Sequence, residues 1–441
     1  MNDAALIKRL KAICGRRHVL TSARATQRFR KGFRSGEGEA LAVVQPATLL
    51  EQWKVLQACV AADKIVILQA ANTGLTEGST PKGSYDRDVV LINTRRMDQL
   101  QLLDGGRQVV SFPGSTLFAL EKLLDPLGRQ PHSVIGSSCI GASVVGGVCN
   151  NSGGSLVERG PSYTELSLYA RITEAGQLEL VNHLGISLGN TPEEILSRLQ
   201  DGDYTDRDVE SGNRKASDTD YARRVRNIDA GTPARFNADK SRLYEAAGCA
   251  GKLAVFAVRL DTYPKNTAEK TFYIGSPETT ALTELRRRIL GGFATLPVSA
   301  EYMHAEVFDL SDRYGKDTMV MIDKLGTDRL PMFYALKGAV DARLAGIPGL
   351  GNLTDRVMQM LSRLWPDILP ARMREFRAAY RHHLILKMRD GGIAEAHALL
   401  EGMAEDGKLA FFECDPREAK MAGLHRFAAA GGAGRYRIVH R

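Results

Sequence analysis

The first 185 residues alternate between helical patterns and short, uninterrupted apolar runs. Between residues 48 and 62 large apolar side chains recur at helical spacing, and Thr48 followed by Glu51 predicts a capping box at the helix start. Other stretches are short aliphatic runs that predict strands: 65–69, 89–92 and 109–112. Residues 168–181 have a hairpin pattern. This half of the chain is therefore expected to mix strands and helices.

A polar interruption separates this region from a second patterned region. Residues 200–224 carry few large apolar side chains and predict an excursion or mobile loop. A strand pattern at 253–260 and a break at Tyr263-Pro264 follow, so we expect a domain boundary after residue 264. The elements predicted beyond it are a helix at 281–290 and strands at 272–274, 307–310, 318–322 and 384–388. They indicate a second α+β unit over 265–441.

Charge and cysteine content narrow the classes of partner. Lysine and arginine exceed aspartate and glutamate by 59 to 51, a net charge of +8 that favours anionic partners. No nucleic-acid-binding motif is visible, so nucleic acid is not an expected partner. None of the six cysteines forms a C-x-x-C pair, and no metal site is predicted. No apolar run approaches the ~20 residues that span a bilayer, so membrane association should be peripheral.

Two runs of small residues are the candidate ligand-binding segments. The first lies between two predicted strands at 70–80, and its backbone N–H groups could form a nest for phosphate oxygens, although a plain connecting loop explains it equally well. The second, 131–154, has more small residues in succession than a packed core needs, and suits a long planar ligand lying along the backbone. Neither run is a G-x-G-x-x-G or Walker A motif.

A basic segment at 324–381 has two interpretations. It holds ten basic and five acidic residues, a difference of +5, interleaved with aromatic, leucine and methionine side chains. A solvated charged face is the usual explanation of such a run. Docking onto anionic phospholipid, with shallow insertion of the apolar side chains, is the functional explanation that we favour.

The order of these segments resembles the FAD-binding domain of the vanillyl-alcohol oxidase and p-cresol methylhydroxylase (PCMH) superfamily. The similarity covers roughly residues 40–185, including both small-residue runs and Arg159-Gly160-Pro161. Further segments extend it over nearly the whole chain to the bacterial respiratory, quinone-dependent D-lactate dehydrogenases: 33–36, 72–81, 132–154, 249–260 and 425–427.

This resemblance implies an α+β fold with two domains. Residues 1–264 would form a two-subdomain PCMH-type FAD-binding domain, with a core at about 40–185 to which strand 253–260 returns. Residues 265–441 would form an incomplete substrate or cap domain with an antiparallel sheet and the basic membrane-contacting segment. The implied FAD contacts are Ala70, Ala71, Asn72, Thr73, Gly74, Gly78, Ser79, Gly136, Ser143, Gly153 and Val255. No histidine occurs in 70–81, so FAD should be bound non-covalently.

The implied reaction is oxidation of D-lactate to pyruvate by hydride transfer to FAD, with electrons passed to membrane quinone. Histidine is the usual base near neutral pH, and we select His382 and His383 as catalytic candidates and Arg426 as the group that holds the carboxylate. The enzyme would lie on the cytoplasmic face of the bacterial inner membrane, against anionic phospholipid. Its oligomeric state is left open.

The chain departs from the family near its end. It stops at Arg441, without the later histidine-rich substrate motif and terminal Asn-Pro-Gly segment of the family, so we expect the C-terminal part to be missing. Three alternatives remain: a 2-hydroxy-acid dehydrogenase with a soluble acceptor, a truncated form that binds FAD but is inactive, and a non-enzymatic protein that binds nucleic acid or lipid.

Overall fold

Two compact units make up the part of the chain that the computed structural model describes, namely residues 1–32, 35–74, 76–133, 140–325, 340, 353–362, 364–365 and 367–440. The first unit is drawn from Met1–Gly153, Pro161–Thr219 and Arg235–Lys265, and the second from Gly154–Gly160, Asp220–Ala234 and Asn266–Arg441. The chain leaves the first unit for the last time after Lys265, next to the predicted break. Two short segments earlier in the sequence, 154–160 and 220–234, belong to the second unit, which the sequence pattern did not indicate.

The first unit contains two main sheets and a short two-stranded ribbon. A four-stranded sheet has the order β1-β2-β4-β3, in which β2, β4 and β3 are parallel and β1 is antiparallel to β2. Its strands are β1 (Val19–Leu20), β2 (Ala42–Val44), β3 (Ile65–Gln69) and β4 (Val89–Asn93). The five-stranded antiparallel sheet has the order β5-β6-β10-β8-β9. Its strands, with those of the β7–β11 ribbon, are β5 (Leu100–Leu103), β6 (Gln108–Ser111), β7 (Arg129–Gln130), β8 (Ser167–Ile172), β9 (Leu178–Asn182), β10 (Ala254–Asp261) and β11 (Tyr263–Pro264).

Among the described residues of this unit, the helices that cover the sheets are α1 (Asp3–Cys14), α2 (Ala23–Arg30), α3 (Leu49–Ala61), α4 (Leu117–Leu124), α5 (Val144–Cys149) and α6 (Pro192–Asp201). Side chains alternate between the two faces of β10, because successive residues of a strand point in opposite directions. Phe256 packs in the cluster that includes α1 and α3, whereas Val255 packs with α4 and α5. The second small-residue run is thus anchored, through α5, on one face of the five-stranded sheet.

The second unit is built on a four-stranded antiparallel sheet with the order β13-β14-β12-β15. The strands are β12 (Glu269–Ser276), β13 (Ser299–His304), β14 (His382–Arg389) and β15 (Ala410–Glu413). Its helices are α7 (Tyr221–Arg226), α8 (Thr279–Gly292), α9 (Ala305–Tyr314), α10 (Lys316–Leu325), α11 (Leu353–Ser362), α12 (Ala371–Ala379), α13 (Gly392–Glu405) and α14 (Pro416–Val439). Phe272 and Leu386 face α8 and α13, and Tyr273 and Ile385 face α9, α12 and α14, so each face of the sheet has its own core.

Two predicted strands of the second unit are wrong. Residues 307–310 lie in α9 and residues 318–322 lie in α10. Within α9 the buried side chains are Ala305, Phe308, Ser311 and Tyr314, at helical spacing, while Val307 points outward with 40% exposure. A four-residue apolar run does not distinguish a strand from a segment of buried helix, and here the polar neighbours at helical spacing decide in favour of helix.

Candidate functional site

The first small-residue run begins where β3 ends and is held at its base by amide side chains. Gln69, at the end of β3, donates from Nε2 to the carbonyl oxygens of Phe29 at 2.9 Å and Ser79 at 2.8 Å. Asn93, at the end of β4, donates from Nδ2 to the Ala70 carbonyl at 2.9 Å. Both ends of the loop are therefore fixed to the carboxyl edge of the parallel strands.

Asn72 closes the loop on itself. Its backbone is in the left-handed region, with φ 57°, and its Nδ2 donates to the Lys31 carbonyl at 2.9 Å. Its Oδ1 accepts from Ser79 Oγ at 2.8 Å and from Thr80 Oγ1 at 2.9 Å. The hydroxyls of Ser79, an implied FAD contact, and of Thr80 are thus directed at Asn72, and shape the loop.

Three successive backbone N–H groups of the loop have no protein acceptor among the described residues. Within the described residues, the N–H groups of Asn72, Thr73 and Gly74 donate no hydrogen bond to the protein. A Cβ placed on Gly74 would meet no described atom within 4 Å. Successive unpaired N–H groups beside open space form a nest that binds anions such as a pyrophosphate. The residues present therefore fit the phosphate-bearing part of FAD.

The second small-residue run lies against the first. Gly141 has a φ of 92°, and a Cβ there would come 3.7 Å from the Cβ of Ala71. A Cβ on Gly78 would lie 3.8 Å from Asn150 Oδ1. Ser143, predicted to contact FAD, caps α5 by accepting from the Gly146 N–H at 3.0 Å. The structure thus brings together two runs that are about 60 residues apart in the sequence.

Three other predicted FAD contacts differ in what the structure shows of their surroundings. Gly136 lies outside the described residues. A Cβ on Gly153 would come 2.9 Å from Arg235 Nη1, so a side chain at 153 would displace the guanidinium. The Val255 side chain is buried, and its carbonyl accepts from Gln52 Nε2 at 3.4 Å. Contact of these residues with FAD stays a prediction.

His383 is an interior residue of the second unit. It is fully buried, with the rings of Tyr273 and Phe308 centred 5.7 and 5.9 Å from its own. Burial lowers the pKa of His383 to about 4. A role as the catalytic base stays a prediction, and the absence of solvent contact in the described structure weighs against it.

His382 and Arg426 lie on opposite sides of the second unit's sheet. His382 pairs with His304 of the neighbouring strand β13, and Tyr302 Oη is 2.8 Å from His382 Nδ1. Arg426, on α14, forms an ion pair with Glu301, which shares the other face with Ile385. The three predicted catalytic side chains therefore do not converge on one point.

Arg426 lines a cavity of about 570 Å³ in the second unit. The strands supply Glu301, Ile385 and Lys387 to its floor, and the first turns of α14 form a wall. Lys387 is ion-paired with Glu269. Burial raises the pKa of Glu301, and the neighbouring Arg426 opposes that rise. Arg426 and Lys387 are each paired with a carboxylate of the protein, and Glu301 is half-buried. The arrangement suits a small carboxylate ligand that takes the place of a protein carboxylate beside one of these cations.

Glu301 and Lys387 were not among the residues selected from sequence. The sequence did contain a sign of Lys387, because this charged residue interrupts the apolar run 384–388. A charge inside a predicted strand indicates a position that faces polar surroundings. The sequence contained no such sign of Glu301, because β13 was not predicted.

In the described residues, no group of three or more His, Cys, Asp or Glu side chains could hold a metal ion.

The buried histidines give a prediction for stability. His425 is also fully buried, its Nε2 donates to the Phe308 carbonyl at 3.0 Å, and burial lowers its pKa to about 4. With folded pKa values below the unfolded value of about 6.5, both histidines contribute stability that is complete above pH 6.5 and is lost as pH falls towards 4. Each should cost about 2 kcal/mol of unfolding free energy at pH 5.

Urea unfolding at pH 7.5 and pH 5 measures this loss. His383→Phe should reduce the difference between the two pH values by about half, since one of the two titrating groups is removed, whereas His18→Gln, at a partly exposed position of the first unit, should leave it unchanged. If wild type and His383→Phe lose the same unfolding free energy between pH 7.5 and pH 5, the buried His383 is not a source of the pH dependence.

Comparison with known proteins places the chain in a family. Residues 40–176 match the family described as FAD binding domain, and residues 271–441 match the family described as D-lactate dehydrogenase, membrane binding. The chain is 57% identical over 441 residues to the quinone-dependent D-lactate dehydrogenase of Escherichia coli, covering 100% of this chain and 77% of that protein. It is 53% identical over 445 residues to the same enzyme of Haemophilus influenzae, covering 100% of this chain and 78% of that protein.

Solved structures confirm the predicted fold class. Alkyldihydroxyacetonephosphate synthase aligns with a TM-score of 0.57 at 12% identity, over 98% of this chain and 64% of that chain. p-Cresol methylhydroxylase aligns with a TM-score of 0.54 at 12% identity, over 97% of this chain and 71% of that chain. The chain thus spans about three quarters of the length of its sequence relatives. It spans about two thirds of the length of the proteins in these solved structures. From its similarity to the sequence relatives, we conclude that the chain belongs to the family of quinone-dependent D-lactate dehydrogenases.

Proposed function

We propose that this protein is a peripheral membrane flavoenzyme that oxidises D-lactate to pyruvate and passes the electrons to membrane quinone. The observation that carries the proposal is the nest at Asn72–Gly74. Its N–H groups have no acceptor in the part of the chain that the structure describes, and they lie beside open space in the region that matches an FAD binding domain. Family membership supplies the substrate and the acceptor.

FAD would lie along the two small-residue runs, with its pyrophosphate on Asn72, Thr73 and Gly74. When bound, FAD accepts the hydride from the substrate and supplies the redox chemistry. The chain offers no histidine in 70–81 as a covalent attachment point, so the cofactor would be held by hydrogen bonds and packing alone.

The cavity of the second unit would hold the lactate carboxylate. A carboxylate taken out of water needs a cation, and the planar guanidinium of Arg426 offers two parallel N–H donors. Binding there would displace Glu301 from Arg426. Glu301, already half-buried, would then lose the charge that holds its pKa down, and would become a better acceptor for the substrate hydroxyl proton. This assignment replaces His382, which faces the other side of the sheet.

Activity with a short-chain quinone tests the proposed function. The purified, FAD-loaded protein should reduce the quinone with D-lactate as donor, and L-lactate at the same concentration should give no more than the background rate. Reduction of a soluble dye by D-lactate without any reduction of quinone would instead support a dehydrogenase with a soluble acceptor.

Helix α11 supports membrane association. Its apolar residues Val357, Met360 and Leu361, with Leu364 beyond its end, recur at helical spacing and are 39, 61, 41 and 80% exposed. An exposed apolar face within a basic segment suits insertion into the interface of an anionic bilayer. Among the described residues, no helix is both long and apolar enough to cross a membrane. We place this surface on the cytoplasmic face of the bacterial inner membrane.

Charge introduced on this face should release the protein from vesicles. Burying a methionine or leucine contributes roughly 1.5–3 kcal/mol, so the double variant Met360→Glu/Leu364→Glu should bind phosphatidylglycerol-containing vesicles at least tenfold more weakly in a sedimentation assay. Leu123→Glu/Leu127→Glu is the matched control, since these residues are 38 and 48% exposed in the first unit. Equal weakening by both double variants would show that added charge, and not the α11 face, determines binding.

A further inference from the structure

Two cysteines of the first unit lie together although they are far apart in the sequence. Cys149 ends α5, and Cys249 lies in the turn that leads into β10. Backbone hydrogen bonds join the two segments: the Gly248 N–H donates to the Val148 carbonyl at 3.0 Å, and the Ala250 N–H donates to the Cys149 carbonyl at 3.1 Å. Both side chains pack in one apolar cluster.

The chain turns sharply after Cys249. Ala250 and Gly251 have φ values of 48° and 87°, both in the left-handed region, and the Lys252 N–H donates to the Cys249 carbonyl at 3.0 Å. The hydrogen bond from the Cys149 thiol, aided by the Gly251 and Leu253 N–H groups, lowers the pKa of Cys249 against the opposing effect of burial. Cys149, the donor, has a raised pKa.

The other described cysteines have the opposite character. Cys14, Cys59 and Cys414 are buried, and burial raises the pKa of each thiol to about 12. Since the thiolate is the reactive form of cysteine, these three should be inert at neutral pH. Cys249 is therefore the thiol, among those that the structure describes, best prepared to react, and it has a second thiol beside it.

We propose that Cys249 and Cys149 form an oxidation site that hydrogen peroxide converts into an intrachain disulfide. The Cys249 thiolate attacks one peroxide oxygen, an S–O bond forms as the O–O bond breaks, and the hydroxide released takes up a proton to become water. The Cys149 sulfur then attacks the resulting sulfenic acid, the S–S bond forms as the S–O bond breaks, and the thiol proton leaves in a second water. Two thiols are oxidised by two electrons, and one hydrogen peroxide is reduced.

A disulfide requires Cα atoms roughly 4.4–6.8 Å apart. The hydrogen bond from the Ala250 N–H to the Cys149 carbonyl holds the two segments side by side, as such a bond needs. The bond would fasten the end of α5 to the turn before β10. Neither cysteine is a predicted FAD or substrate contact, so this inference stands independently of the proposed function.

Thiol counting and peptide mapping of the FAD-loaded protein test the proposal. After brief exposure to hydrogen peroxide, the titratable thiols of the unfolded protein should fall from six to four. Trypsin without reductant should then release peptide 243–252 joined to peptide 130–159, and reduction should separate them. Because 130–159 also contains Cys139, the map is repeated in Cys139→Ser, where the link should persist.

Two further variants separate the roles of the cysteines. Cys149→Ser should prevent the link and leave a Cys249 sulfenic acid that dimedone traps, whereas Cys249→Ser should give neither product. Retention of all six thiols, a link that disappears in Cys139→Ser, or dimedone labelling that survives in Cys249→Ser would each overturn the proposal.

Discussion

Replacing Gly74 with valine should weaken FAD binding without unfolding the protein. Gly74 has an ordinary backbone conformation, and a Cβ there meets no described atom within 4 Å, so the protein itself tolerates a side chain. The methyl groups would, however, occupy the space in front of the nest where the pyrophosphate is proposed to lie. We expect FAD affinity to fall at least tenfold, about 1.4 kcal/mol, measured by titration of the apoprotein with FAD.

Gly212→Val is the matched control for this experiment. Gly212 belongs to the same unit, has an ordinary φ, and a Cβ added there would likewise meet no described atom within 4 Å. It should bind FAD as wild type does, and the apoproteins of both variants should unfold at the temperature of the wild-type apoprotein. Unchanged FAD affinity in Gly74→Val would mean that the nest does not hold the cofactor.

Replacing Arg426 with methionine should weaken D-lactate binding without affecting FAD. A hydrogen bond between charged groups contributes roughly 1.5–3 kcal/mol, so KM for D-lactate should rise about 10- to 100-fold while the FAD content stays that of wild type. Loss of Arg426 also removes the charge that opposes the raised pKa of Glu301. The acid limb of the kcat/KM profile should therefore move to higher pH, because Glu301 must be deprotonated to accept a proton.

Arg417→Met, at an exposed position on the same helix, is the control for the lost charge. It should leave KM and the pH profile unchanged. If Arg426→Met alters KM by less than twofold, the lactate carboxylate lies elsewhere. If KM rises but the acid limb stays in place, Arg426 holds the substrate and Glu301 is not the proton acceptor.

Local sequence patterns predicted much of the first unit. The run 65–69 coincides with β3, and Thr48 caps α3 by accepting from the Glu51 N–H at 3.1 Å, although Glu51 bonds to Ala47 instead of completing the box. These features depend on residues that are neighbours in the chain, so the order of the side chains is enough to predict them. The FAD binding domain, predicted from two small-residue runs and a family resemblance, is confirmed by the family match.

The cavity proposed to hold the substrate depends on contacts that local patterns do not contain. Glu301 reaches Arg426 only because β13 and β14, some 80 residues apart, pair in a register that sets Glu301 opposite Ile385 and turns it towards α14. The same register places His382 on the other face. A one-residue shift would exchange the two faces, so the sequence alone could propose histidines and an arginine but could not decide which of them meet.

The absorbance spectrum of the purified protein under anaerobic conditions tests the central proposal most directly. FAD-loaded protein should show the visible flavin bands, D-lactate should bleach them, and L-lactate should leave them unchanged. A protein that takes up FAD but keeps its visible bands in excess D-lactate would contradict the proposed activity, and a protein that takes up no FAD would contradict the site on which it rests.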